Sequence, residues 1–223
     1  MINADLHIHS CLSPCADNAM TPKALVAAAV EAGVYLIALT DHNSVRNCPE
    51  TAALCHDAGI GFIPGIEVTT LEEIHCVCLF PNLGAAAAFS RWLDSLSSPR
   101  GSSRNPTAVR RPVRPLEERA LLLMSRRISV DELPDRVHRF DGICWPAHVD
   151  KPANSLYAVL GCWPQGLNFD AVELYDDSVP SGLPEGLPQL RTSDAHSLWA
   201  IHPFSLPLES ADFRGLYNYL KKV

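Results

Sequence analysis

No stretch of this chain is apolar for long enough to span a bilayer, so no membrane helix is predicted. The N-terminus runs straight into Asp5 and His7 without a basic segment and an apolar core, so no secretory leader is expected and the predicted location is cytoplasmic. The eight cysteines, at 11, 15, 48, 55, 76, 78, 144 and 162, include no CxxC pair in a chain too long for a small secreted scaffold. That argues against a disulfide framework and for mostly small buried hydrophobes. No internal repeat is visible.

Basic charge is short as well. The net charge is -7, and residues 97–127 alone carry eight Arg against two acids. Everything outside that stretch carries ten basic and 23 acidic residues. A general nucleic-acid-binding face wants the reverse, so nucleic acid is expected not to be a partner.

What the chain does have is enough apolar material for one core: 223 residues, 47% hydrophobic and 19% charged, the profile of a single domain over 1–223. After an opening strand, Thr21-Pro22 caps a predicted helix over 23–32 that Gly33 ends. Strands follow at 35–39 and 60–66, with a helix at 50–58 between them. This strand and helix alternation predicts parallel strands and right-handed crossovers. Further strands are predicted at 74–80, 142–147, 171–175 and 187–192, and helices at 85–96, 156–160 and 211–220. Order is expected again over 116–125, and Ser129 with Glu132 forms a capping-box start that Pro134 weakens if it falls beyond the first turn. Residues 97–115, rich in Ser, Pro and Arg, are predicted to be a flexible insertion, read either as a solvated loop or as a basic flap over a phosphate-bearing substrate.

The chemistry starts at Asp5-Leu6-His7-Ile8-His9. Side chains two apart on a strand share a face, so both imidazoles aim at one point, which suits either a metal or two histidines that happen to be neighbours. The same event recurs: an apolar run ends, and a His, Glu or Asp stands at its end. In order these are His7, His9, His42, Glu67, His75, His148, Asp194 and His196. In a parallel barrel the C-terminal strand ends converge on one rim. Imidazoles and carboxylates suit Zn, Mn or Fe, and eight donors exceed one four-coordinate ion, so at least two metals are implied.

DLHIHS at 5–10, TDHNS at 40–44, GIEVT at 65–69, EEIH at 72–75, PAHVDKP at 146–152 and TSDAH at 192–196 together resemble the PHP family, named for polymerase and histidinol phosphatase. That resemblance implies an α/β fold, a distorted TIM-like (β/α)7 barrel, with a trinuclear site at its C-terminal rim. By the same resemblance, His7, His9 and Asp194 hold the first metal with a bridging Glu67. Glu67, His75 and His148 hold the second, and His42 and His196 the third. The ninth ligand departs from the usual pattern, because Ser13-Pro14-Cys15-Ala16 precedes Asp17; Asp17 is the expected ligand and Cys15 the alternative.

Clustered divalent cations lower the pKa of a bridging water from 15.7 toward roughly 7, and a phosphate monoester can ligate the remaining positions. The expected function is therefore metal-dependent hydrolysis of a small phosphorylated substrate, with Glu67, Asp194 and His196 at the reacting centre. A nuclease and an amidohydrolase-type enzyme are the alternatives. Arg46 and Lys151 stand one short loop from ligands and read as phosphate-binding residues or as surface charges. Asp41 is a candidate for orienting an imidazole, and Glu173 for supporting the site. His56 and His138 fall on predicted helices and are taken as structural, and His202 as a candidate rim residue.

Overall fold

The computed structural model describes residues 1–96, 121–176 and 179–222. The expected insertion at 97–115, and the first part of the ordered stretch at 116–125, lie outside the described residues. Element order is β1 (Ile2–Ile8), α1 (Pro22–Glu31), β2 (Leu36–Leu39), α2 (Cys48–Ala58), β3 (Gly61–Thr69), β4 (His75–Leu79) and α3 (Leu83–Leu96). After the gap come α4 (Leu133–His138), β5 (Ile143–Pro146), α5 (Leu156–Leu160), β6 (Val172–Leu174) and β7 (Gln189–Arg191). A 3-10 turn (Leu198–Ala200), β8 (Phe204–Leu206) and α6 (Phe213–Lys222) close the chain. No helix among the described residues is long and apolar enough to cross a membrane.

The punctuation of the sequence acts as expected at α1. Thr21 Oγ1 accepts from the Ala24 N–H, Pro22 occupies the first turn, and Gly33 turns the chain at φ 73°. Pro134 likewise falls in the first turn of α4, where its missing N–H costs nothing.

Six strands form a curled sheet in the order β5-β4-β3-β2-β1-β8, and β6 pairs with β7 apart from it. The β1, β2 and β3 ladders are parallel, as strand and helix alternation predicts. Among the described residues the sheet is a curled half-barrel, short of the complete seven-repeat barrel that the resemblance implies. β4 runs antiparallel to both β3 and β5, and β8 antiparallel to β1. The cause is chain length: residues 70–74 join β3 to β4, too few for a crossover that needs about a dozen. β8 is three residues long, too short for its alternation to stand out, so it goes unseen in the sequence.

The two-stranded β6-β7 unit completes the curl through isolated hydrogen bonds. Asp170 N–H donates to Cys144 C=O and Val149 N–H to Glu173 C=O, both at 2.9 Å. On the other side His9 N–H donates to Ala195 C=O at 2.9 Å and Ala195 N–H to His7 C=O at 3.3 Å. Inside, Trp145, Leu6, Leu36, Ile63 and Leu190 pack in one fully buried cluster, and Phe80, Phe89 and Ile66 in another.

Candidate metal centre

Strand geometry brings the ionisable side chains together. His7 lies at the end of β1 and His9 just past it, on the same face, with their Nε2 atoms 3.1 Å apart. The β1-β2 register shifts between Asp5 and Ile8, a local irregularity of the kind that re-aims side chains beside active sites. His42 follows β2 and bridges to Glu67 of β3, while His75 opens β4. His148 and Asp194 sit just beyond β5 and β7 with φ of 31° and 48°. Left-handed backbone at a non-glycine residue costs about 1–3 kcal/mol and persists only where its surroundings enforce it.

Glu67 is the hub. Its Oε1 lies 3.4 Å from His7 Nε2, 3.1 Å from His75 Nδ1 and 3.5 Å from His148 Nε2. Its Oε2 lies 3.3 Å from His9 Nε2 and 2.9 Å from His42 Nδ1. Glu67 is 0% exposed, yet neither oxygen has a hydrogen-bond partner among the described residues. Asp194 Oδ1 is also unpartnered, 3.2 Å from both His7 Nε2 and His9 Nε2. A buried carboxylate left without donors costs several kcal/mol unless a cation meets it. Three overlapping sets have ligand atoms within 4.8 Å of one another: His7, His9 and Asp194; His42, Glu67 and His75; and His9, Cys15, His42 and His196. The donors fit divalent cations.

Neighbouring groups fix the tautomers. Glu173 meets His7 Nδ1 at 3.0 and 3.1 Å and also accepts from Trp145 Nε1 and the His148 N–H. An N–H held at Nδ1 leaves the Nε2 lone pair to face the centre. Asp41 works one step away, through Ser13, which meets the His9 ring and accepts the His42 backbone N–H. Asp41 accepts from Ser13 Oγ at 2.6 Å, and that oxygen meets His9 Nδ1 at 3.0 Å. Ser10 Oγ and N–H complete the Asp41 shell.

The charges respond to this crowding. Burial raises the Glu67 carboxyl pKa, but the imidazoles of His75, His42 and His7 more than offset it and hold it well below the ordinary value. Asp194 is likewise depressed, burial being outweighed by His7 and His9. Burial pushes His9 down to about 3, whereas Glu67 and Cys15 lift His42 against burial to about 10. For Cys15, desolvation raises the thiol, and His196 and His42 bring it down to about 7.

The expected residues fare unequally. His7, His9, His42, Glu67, His75, His148, Asp194 and His196 converge. Asp17 does not join them: it is exposed, its carboxylate accepts from the Ala19 N–H, and its own N–H donates to His196 C=O. Cys15 stands beside His42 and His196 in its place. Lys151 reaches the rim, with Nζ 2.5 Å from Asp194 Oδ2, while Arg46 is exposed on the loop into α2. His56 lies exposed on α2, and His138 pairs with Asp170 at 2.9 Å. His202 gives its N–H to Asp5 and packs its ring on Phe204, a structural role.

The family model of the PHP domain matches residues 5–160. This chain belongs to the PHP domain family. Over 77 residues, 34% of the chain and 26% of the relative, the PHP domain is 39% identical to a 3',5'-nucleoside bisphosphate phosphatase of Chromobacterium violaceum. Over 78 residues, 34% of the chain and 27% of the relative, it is 37% identical to a 5'-3' exoribonuclease of Haemophilus influenzae. The match thus spans about a quarter of each curated relative's length. In three dimensions the whole chain superposes on 56% of a lesion-specific endonuclease from Pyrococcus furiosus, at TM-score 0.69 and 21% identity. Endonuclease Q in complex with a 27-mer duplex bearing an abasic lesion gives TM-score 0.67 at 20% identity, over 57% of that chain.

These findings overturn the expectation that nucleic acid is excluded. Part of the physical reason is that whole-chain charge overstates what a polyanion meets: Asp5, Asp41, Glu67, Asp170 and Glu173 are all buried. Two residues near the centre, Ser13 buried beneath His9 and Tyr175 at the rim, carry no signal of their own in the sequence. Ser13 has no spacing signal. Tyr175 is 61% exposed at the end of β6, and its ring lies 4.5 Å from Lys151 Nζ. An exposed aromatic one residue past a strand end, near a cation, is a pattern a sequence can offer only after the strand is placed.

Proposed function

We propose that this chain is a metal-dependent hydrolase of phosphoric ester bonds whose substrate is a small phosphorylated molecule of nucleotide type. What supports this reading above all is the Glu67 carboxylate, fully buried, unpartnered and faced by five imidazoles. His7, His9 and Asp194 would hold one cation, Glu67, His75 and His148 a second, and His42 with His196 a third, with Glu67 shared. Zn, Mn or Fe bound there would supply Lewis acidity to a phosphoryl oxygen and a water acidic enough to ionise near neutral pH.

The chain's own groups do the rest. Burial of His7, His9 and Glu67 keeps bulk water from screening the centre, which strengthens each charge inside. His196, the most exposed imidazole of the set, faces the open side with Nδ1 held at 2.7 Å from the Asp194 carbonyl. Lys151 Nζ, at the same rim, is placed to take a phosphate oxygen, and the Tyr175 ring beside it offers a flat face to a base. Glu67 and Asp194 would supply the negative charge that holds the cations.

A second reading, removal of nucleotides from an oligonucleotide end, is favoured by the likeness to exoribonucleases. One panel separates the two: an aryl phosphate, a 3',5'-nucleoside bisphosphate, a short 5'-phosphorylated RNA, abasic duplex DNA, and an aryl amide and lactone, each with added Mn or Zn. The bisphosphate and aryl phosphate are expected to turn over, and His148→Ala to lose more than about 100-fold. Cleavage of the oligonucleotides alone would favour the second reading, and cleavage of the amide or lactone alone would sink both.

A further inference from the structure

Cys15 is the one anionic donor in the set formed with His9, His42 and His196, whose ligand atoms all lie within 4.8 Å of one another. Around a tetrahedral zinc, Zn–N of 2.0–2.1 Å and Zn–S of 2.3 Å put neighbouring donors roughly 3.3–3.6 Å apart, so closing this set takes only side-chain adjustment. His9 is drawn the other way. Its Nδ1 is taken by Ser13, and its Nε2 already faces His7, Asp194 and Glu67. That leaves His42, His196 and Cys15. His42 is 3% exposed, its Nδ1 faces Glu67 Oε2 at 2.9 Å without a hydrogen bond among the described residues, and it shares one ligand set with Cys15 and His196, so the cysteine does not stand alone.

The loop reinforces the placement. Ser13 N–H donates to Ser10 C=O and Ala16 N–H to Ser13 C=O, two tight turns that carry residues 13–16 across the mouth. Asp17 N–H then donates to His196 C=O at 2.8 Å, tying the loop to the segment after β7 through backbone while the Asp17 carboxylate turns back on Ala19. The side chain delivered next to His196 is therefore Cys15.

We propose that Cys15 is a thiolate ligand of the third metal position, together with His42 and His196, and that it biases this position toward zinc and away from manganese and magnesium. Thiolate is a soft donor that favours zinc, while carboxylate and water suit the harder ions. As the sulfur-to-metal bond forms, the Sγ proton passes to solvent. The proposal rests on the metal-centre reading above and is tested so that the two can fail separately.

The full chain is loaded with zinc, manganese or cobalt, desalted and analysed for bound metal, for cobalt absorption, and for alkylation of each cysteine by iodoacetamide. The cobalt form should show a sulfur-to-cobalt charge-transfer band in the near ultraviolet. Zinc should slow alkylation of Cys15 at least tenfold while leaving Cys162, the other exposed cysteine, unchanged. Cys15→Ser should lose the band and one metal equivalent, and Asp17→Asn should keep both. Cys15→Asp should regain the equivalent without the band and hold manganese better than the parent. If Cys15→Ser keeps the full metal complement, or the loaded parent shows no charge-transfer band, the thiolate assignment is overturned and the centre stands. A parent that binds no metal overturns both.

Discussion

Glu173 does its work without facing the centre. It accepts at His7 Nδ1, at Trp145 Nε1 and at the His148 N–H, so one carboxylate aligns ligands from β1 and from the end of β5. Glu173→Gln keeps the shape but offers one donor where an acceptor is needed, and should lower metal affinity about 10–100-fold in a competition titration with a chelator. The same economy is legible in the sequence only in part. His7 and His9 announce themselves by spacing, because the strand period alone puts them on one face. Cys15 and Asp17 cannot be ranked that way, since backbone turns decide which of them reaches His196. Asp170 gives a residue-level test outside the candidate ligand sets. Burial raises its carboxyl pKa, but hydrogen bonds from His138, Lys221 and the Cys144 N–H bring it below 3.8. Its stabilising effect is present above the unfolded value and lost as pH falls through the lower folded value. Asp170→Ala should therefore cost about 1–3 kcal/mol in urea denaturation at pH 7, with the gap to the parent closing below about pH 4.

At the scale of elements, β3 is the critical strand because it carries Glu67 to the hub. Gly65, two residues before, lies so close to its neighbours that an added Cβ would meet Leu79 Cδ2 at 2.4 Å and Thr40 Cγ2 at 2.9 Å. Gly65→Ala should destabilise the fold by about 1–3 kcal/mol and reduce metal occupancy with it, measured by thermal melting with and without zinc. Unchanged stability would mean that β2 and β4 shift apart more easily than their packing indicates. Element order up to β3 was readable because caps, glycines and apolar runs agree with one another there. The reversal at β4 is legible too, since the link at 70–74 is too short for a crossover. β8 was out of reach: Phe204, Ser205 and Leu206 between two prolines offer three residues, too few for a period to stand out.

For the whole molecule, the centre gathers ligands from β1, β3 and β4 and from the segments after β2, β5 and β7, so bound cations would tie the segment after β7, through Asp194, to the laddered six-stranded sheet. Ions that bind only the folded form stabilise it by about 2.7 kcal/mol at a hundred times their Kd. A chelator should accordingly lower the Tm by several degrees as well as abolish hydrolysis; an unmoved Tm would mean that the cage is held open by protein contacts alone. The β6-β7 pair joins its neighbours through isolated hydrogen bonds at Cys144, Val149, Ala195 and His9, whereas the six-stranded sheet is laddered throughout. Asp194 and His148 stand on opposite margins of that weakly sewn seam. Emptying the cage should let the seam breathe, so amide protons at 170–174 and 193–196 would exchange with deuterium ahead of those in β2 and β3, and a protease would find its first cut there in metal-starved cells.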